Sequence, residues 1–410
     1  RTTVSGRYRA YPLRCQRSLG RLLTTLIVQL EDNEMTDTII SSAVIIGAGI
    51  FGVSTGVQLA RRGIRVTIIN DGPPANGASG RSLSWLNSSR MRSEPYHRLR
   101  MAGIDRYRTL SARFPDAKWL RFNGGLTWDA DDERNEIDAA YRHEVSLVYD
   151  AQRLSASDVA RVTPGVAANA VTPQGAIFNP GEGWVDLPSL INLLLEEFAA
   201  LGGVLVTNQG QARIVIEGAR AVGAETAVGN RFAADAAVLA TGPAVPRMVA
   251  ETGQTMSDST LLALLVQTKP LAHPLRAVLN TPRVAVRPAP GGIFSLDADW
   301  AADEGVTVLP NGSYEIDNNV ASTLLAEAAK VMEGNPALEL ASIGVGEKPI
   351  PGDGEPVIGA LKAVPGYYVA FSHSGATLGL IVGELLAYEI ATGAEHPLLE
   401  TFRPERFSSR

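Results

Sequence analysis

Residues 43–71, AVIIGAGIFGVSTGVQLARRGIRVTIIND, constrain the fold of this chain more than any other stretch. A short apolar run, Ala43 to Ile46, leads into Gly47, Gly49 and Gly52 in G-x-G-x-x-G spacing. An amphipathic segment follows, with Val53, Val57, Leu59 and Ala60 near helical spacing, and Gly63 closes it. Val66 to Ile69 is a second apolar, β-branched run. Strand, tight turn, helix and strand within about thirty residues form the unit expected for dinucleotide binding. Gly47 lets the chain turn out of the strand, Gly49 lets backbone approach a pyrophosphate, and Gly52 lets helix and strand pack closely. The helix N-terminus then offers unpaired N–H groups and a positive dipole end to phosphates.

The end of the second strand departs from this pattern. An acid is expected there to accept hydrogen bonds from an adenosine ribose. Asn70 holds that position and Asp71 follows it. Two readings stand side by side: Asn70 bonds the ribose more weakly than an acid, or Asn70 and Asp71 open the turn Asp71-Gly72-Pro73-Pro74. The fingerprint alone leaves FAD and NAD both open.

With 410 residues, 45% hydrophobic and 20% charged, the chain is long enough for one large or two intertwined domains with a sizeable core. Its net charge of −6 argues against a nucleic-acid partner, because phosphate binding needs a basic face. Cys15 stands alone, which excludes an internal disulfide, a Cys-rich zinc site and a Cys-ligated cluster; no metal site is read. A reducing, cytoplasmic home is the simple expectation. No apolar run is read as approaching the ~18 residues of a spanning helix, so no membrane partner is expected.

Residues 1–38 read as a leader. Arg1, Arg7, Arg9, Arg14, Arg17 and Arg21 are scattered through it and no acid precedes Glu31, whereas Met35 sits just before the first strand. An organelle transit peptide and translated upstream sequence before Met35 are the two readings. Either way the segment is expected to be disordered and without function.

Beyond Asp71, residues 72–92 read as a loop holding Ala78-Ser79-Gly80-Arg81-Ser82, small residues with one Arg, suited to backbone passing close to an anionic ligand. Ser93 reads as the N-cap of a helix of about twenty residues, on which His97 is a packing or surface residue. Two short strand-like runs fall within 118–128, and 131–170 read mostly as helices and loops. Pro188 to Ala200 is an apolar helix, Val204 to Val206 a third parallel strand, 212–232 a meander of three short strands, and Ala236 to Gly242 another apolar strand. Residues 261–320 alternate like antiparallel sheet, and Ser322 to Met332 reads as a helix. The tail holds GEKPIPGDGEPVIG, the strand Gly366 to Phe371, His373-Ser374-Gly375, and a helix Ala376 to Thr392 whose apolar character nearly all round implies burial.

Three of these segments, taken in order and spacing, resemble a known family. They are 43–71 with the Ala78–Ser82 loop, the Ala236–Gly242 strand, and the tail 346–379. The resemblance is to the FAD-dependent amine oxidoreductases that include D-amino acid oxidase, glycine oxidase and monomeric sarcosine oxidase, and it covers nearly everything after residue 40. It implies an α/β fold with a discontinuous Rossmann-like FAD-binding domain (39–117, 184–250 and 343–410). It also implies a second, substrate domain (118–183 and 251–342) built on a mainly antiparallel sheet, α+β in character. By the same resemblance Gly47, Gly49, Ile50, Phe51 and Gly52 would line the pyrophosphate turn, with Asn70 and Asp71 at the ribose position. Ser79, Gly80, Arg81 and Ser82 would contact the pyrophosphate and ribityl chain. Ala212 would meet the adenine, and Thr241 and Gly242 would close over the dinucleotide. Ser374, Gly375, Ala376, Thr377 and Leu378 would lie against the pyrimidine side of the flavin. The tail has no Cys and Ser82–Ser89 has no His, so the FAD would be non-covalent.

The implied reaction is hydride transfer from a carbon bearing nitrogen to the flavin, giving an imine and, with dioxygen, hydrogen peroxide. The substrate would be a small amine, an amino acid or an N-substituted amino acid. Two alternatives stay open: a dehydrogenase of 2-hydroxy acids or alcohols with another electron acceptor, and a flavin-binding subunit without chemistry of its own. His373 would hold substrate or tune the flavin. Lys348 stands where relatives with carboxylate substrates place Arg, and the proline after it favours an extended backbone. Lys348 is therefore expected to anchor an anionic group of the substrate with looser geometry than Arg. The competing expectation is a surface pair with Glu347 or Glu355. On the anchor reading, Lys348→Met raises the apparent substrate constant while FAD content and melting temperature stay nearly unchanged.

Overall fold

The computed structural model describes residues 40–407. The expectations for the leader, with Cys15 and Met35, lie outside the described residues.

Strand β1 (Ser42–Ile46), helix α1 (Ile50–Arg61) and strand β2 (Arg65–Asn70) form the expected unit. β1 and β2 pair in parallel, with Ile45 opposite Ile68. They sit inside a six-stranded sheet whose order is Val357–Ala360, Tyr367–Phe371, Ala236–Leu239, β1, β2, Val204–Thr207. All neighbours are parallel except the outermost pair, Val357–Ala360 with Tyr367–Phe371. The inner strands are buried on both faces, which explains their unbroken apolar sequence.

Helix α2 (Glu94–Arg113) starts at Ser93, whose side chain accepts the Tyr96 N–H. His97 lies on it as a packing residue, 6% exposed and 2.8 Å from Ser88 Oγ.

The second large sheet has eight strands. Its labelled members are β3 (Leu261–Thr268), β4 (Ile293–Asp297) and β5 (Leu340–Lys348). In order it runs β5, β3, β4, Ala285–Ala289, Val278–Asn280, Gly125–Thr127, Ala176–Asn179, Gln152–Leu154, antiparallel except where Val278–Asn280 meets Gly125–Thr127. Leu264, Val266 and Leu296 pack there with Leu324 and Ala328 in a core separate from that of the first sheet. The helix carrying Leu324 runs Asn318–Val331 and begins four residues before the expected start, because Asp317 caps it by accepting the Asn319 N–H.

β5 is a strand that the sequence pattern did not reveal. It is an edge strand with two glycines and no fully buried residue, so neither alternation nor β-branched density marks it. The expected domain boundary at residue 343 falls inside it. The partition into domain segments stays a proposal, with β5 belonging to the second sheet.

Helix α3 (Gly375–Thr392) ends at Gly393 in the left-handed conformation. By length and composition it is apolar enough to cross a membrane, which corrects the expectation that no run approaches that length. Its apolarity has a local cause: the helix packs between α1 and α2, and 67% of it is buried within the fold. Glycine makes this approach feasible, since a Cβ at Gly383 would fall 2.1 Å from Ser54 Oγ of α1.

Candidate active site

The turn after β1 is built by its glycines. Gly47 has φ +111°, and a Cβ there would fall 2.3 Å from Ala240 O. A Cβ at Gly52 would fall 1.9 Å from Gly47 O, so the helix can start only on a bare backbone. Gly49 is different: within 4 Å its Cβ would meet only Ser79 Oγ, and it borders a cavity of about 1200 Å³. Ser79 Oγ accepts the Ile50 N–H at 3.1 Å, which ties the 78–82 loop to the start of α1.

Most of the residues expected at the cofactor line this one cavity. Gly47, Gly49, Ile50, Phe51, Asn70 and Asp71 come from the first unit. Ser79, Arg81 and Ser82 come from the loop, Ala212 from the start of Ala212–Glu217, and Thr241 and Gly242 from the end of the Ala236–Leu239 strand. Ser374, Gly375, Ala376 and Thr377 come from the start of α3. Three lie elsewhere. Gly52 sits beneath the turn, Gly80 packs on the Ala75 carbonyl, and Leu378 points into the core because α3 has turned by that residue.

Asn70 is spent on the turn. Its Oδ1 accepts the Ala48 N–H at 2.8 Å, and its Nδ2 donates to Gly72 O and Pro73 O at 2.9 Å each. Asp71 accepts from Asn76 Nδ2 at 3.1 Å. Arg81 lies over β5, where a Cβ at Gly346 would come within 3.1 Å of its side chain.

These residues fit a dinucleotide. Backbone without Cβ borders the cavity at Gly47 and Gly49, and the first turns of α1 and α3 carry no acid to cancel their dipoles.

A second group of side chains meets around His373. His373 lines the cavity and is exposed to it, with protein packed closely around the rest of the ring. Burial first, and then Lys348, Arg100 and Arg92, pull its pKa down to about 4, so it is neutral at neutral pH. Lys348, the last residue of β5, pairs with Asp299 at 3.2 Å and Asp297 at 3.5 Å, and with neither Glu347 nor Glu355. Asp297 and Asp299 line the cavity as well. Burial raises the Asp297 pKa, and Lys348 opposes that rise.

Four residues of this group were not expected from sequence: Arg92, Arg100, Asp297 and Asp299. Arg100 carried a signal. It stands four residues from Tyr96 in the buried stripe of α2 and is 2% exposed. Arg92 donates to Ser89 O at 3.2 Å and makes no ion pair among the described residues. Burial, followed by Arg100, lowers its pKa to about 10.

Comparisons with known proteins agree with this geometry. A family model described as "DAO: FAD dependent oxidoreductase" matches residues 42–389. An uncharacterized oxidoreductase, YurR, of Bacillus subtilis is 26% identical over 84% of this chain and 94% of its own length. Glycine oxidase of Geobacillus kaustophilus is 26% identical over 84% of this chain and 91% of its own. Its crystal structure superposes with a TM-score of 0.74 over 90% of this chain and 99% of that one, at 22% identity. The structure of L-amino acid deaminase from Proteus myxofaciens in complex with anthranilate gives 0.75 over 90% and 94%, at 18% identity.

Proposed function

The chain belongs to the DAO family of FAD-dependent oxidoreductases, and from that premise we propose that it oxidises the C–N bond of an amino acid or N-substituted amino acid to an imine. Bound FAD supplies the two-electron acceptor, and dioxygen is its proposed oxidant, with hydrogen peroxide as product. That relatives are named glycine oxidase and L-amino acid deaminase supports this substrate class.

One observation carries the reading: the cationic surroundings of His373. Lys348, Arg100 and Arg92 all act on that ring, and Arg92 pairs with no carboxylate among the described residues. Arg92 and Lys348 anchor the substrate carboxylate. Asp299, whose side chain is 94% exposed, gives way at Lys348 when that carboxylate arrives. The same cations disfavour a further positive charge, so they hold the substrate amine neutral, with its lone pair available. His373, itself neutral, orients the substrate and does not serve as a strong base. Ser79, Arg81, Thr241 and the start of α3 hold the cofactor, which stays non-covalent, and Asn70 supports them by fixing the glycine turn.

Anaerobic mixing with amino acids, N-substituted amino acids and 2-hydroxy acids tests the proposal. Bleaching of the flavin by an amine substrate, with peroxide on readmission of air, is expected. Bleaching by hydroxy acids alone overturns it. Lys348→Met is expected to raise the apparent substrate constant by about thirty-fold or more, the cost of unpairing a desolvated charge. Because Asp297 then loses its cation, the melting temperature also falls, in contrast to the expectation from sequence alone.

A further inference from the structure

We infer that Tyr96 and Arg100 fix the polarity of one hydroxyl at the cofactor cavity. They fill both lone pairs of Ser374 Oγ, so Ser374 meets the bound FAD as a donor and α3 begins uncapped. The inference concerns the cofactor end of the cavity and does not depend on which substrate is oxidised.

Ser374 stands at the N-cap position of α3. A serine there ordinarily turns its oxygen back to accept a first-turn N–H. This one makes no such bond. Counting hydrogens explains why. A hydroxyl has one hydrogen to give and two lone pairs to fill. Tyr96 is 2% exposed, so its O–H must be spent inside the protein. Its one acceptor among the described residues is Ser374 Oγ, at 2.6 Å. The Tyr96 oxygen itself accepts from Arg100 Nη1 at 3.2 Å.

Arg100 can only donate. Its Nε gives to Asn87 O and its Nη2 to Asn87 Oδ1, each at 2.8 Å, which fixes the plane of the guanidinium. Nη1 then reaches Ser374 Oγ as well. Both lone pairs of Ser374 are thereby taken. Its hydrogen has no protein acceptor among the described residues, and Ser374 lines the cavity. The first intrahelical bond runs from Leu378 N to Ser374 O at 3.0 Å. The N–H groups before it keep their capacity for a ligand. The start of α3 therefore presents donors only, beside a buried cation. Such a surface favours the negative charge that arrives with electrons over the neutral oxidised cofactor.

Tyr96→Phe in the FAD-loaded protein tests this, because it removes one donor and returns one lone pair to Ser374. A hydrogen bond to a charged acceptor changes an equilibrium about tenfold or more. The affinity for reduced over oxidised FAD is therefore expected to fall about tenfold, read as a midpoint potential lower by about 30 mV. Melting temperature should hold or rise, since Ser374 is now able to cap its helix. Ser374→Ala should lower the potential in the same direction, and adding Tyr96→Phe to it should change nothing further. A potential unchanged in Tyr96→Phe overturns the inference, whether or not stability drops. So does a double variant whose shift is the sum of the two single shifts.

Discussion

Asn70 shows how one amide outweighs a family habit. Its nitrogen donates to two carbonyls of the 70–76 turn while its oxygen holds the Ala48 N–H, so a single side chain ties the glycine turn to the loop beyond β2. A carboxylate has no hydrogen for those carbonyls. Asn70→Asp is therefore expected to cost roughly 1–3 kcal/mol and to reduce the FAD retained on purification. Urea unfolding and the ratio of flavin to protein absorbance measure both. Unchanged stability with tighter FAD would show instead that the position serves the ribose. Of the two roles that the sequence left open at Asn70, the bonds seen here belong to the turn.

Among elements, the strands Ala176–Asn179 and Gly183–Val185 and the turn between them bury a carboxyl that makes no ion pair among the described residues. Glu182 is fully buried; its Oε1 accepts from Tyr149 at 2.6 Å and from the Ser88 N–H at 3.3 Å. A Cβ at Gly125 would lie 2.2 Å from Oε2, so glycine makes the room. Burial first, with buried Glu144 adding to it, pushes the Glu182 pKa up to about 8. The folded protein thus keeps a proton that the unfolded chain gives up near its ordinary value of 4.5. Stability falls as pH rises between those values, by at most about 1.4 kcal/mol per unit from this group. Glu182→Gln should flatten the decline in melting temperature from mildly acid to mildly alkaline pH; an unaltered slope would assign the decline to other groups. Whether such elements can be read from sequence depends on how local their causes are. β1, α1 and β2, the Ser93 cap and the burial of α3 follow from periodicity within a few turns of chain. β5 follows from pairing with β3, some eighty residues earlier, and its own residues carry no mark of it. The acids at Lys348 were hidden for the same reason: they reach it from the end of β4 and the start of the short helix Asp299–Gly305 beyond it.

At the scale of the molecule, two sheets with separate cores border one cavity, the first through its glycine turn and the start of α3, the second through Asp297 and Lys348. On the proposed placement of FAD in this cavity, the cofactor couples them. Stripping it should lower the melting temperature by several degrees, and added FAD should restore it in proportion to ligand excess over Kd. The flavin should leave with the denaturant, and finding it still on the unfolded chain would refute non-covalent binding. β5 carries one more consequence. Ile343 and Val345 pack toward the second core, while Gly344 and Gly346 face Arg81 and Lys348 ends the same run. A strand's faces exchange when it slips by one residue. A single-residue insertion ahead of β5 would carry Glu347 into the place of Lys348 and set a third carboxylate beside Asp297 and Asp299, with no side chain altered. Part of the charge that this cavity accepts is thus stored in strand register, and loop length ahead of β5 can change it while Arg92 and Arg100 stay in place.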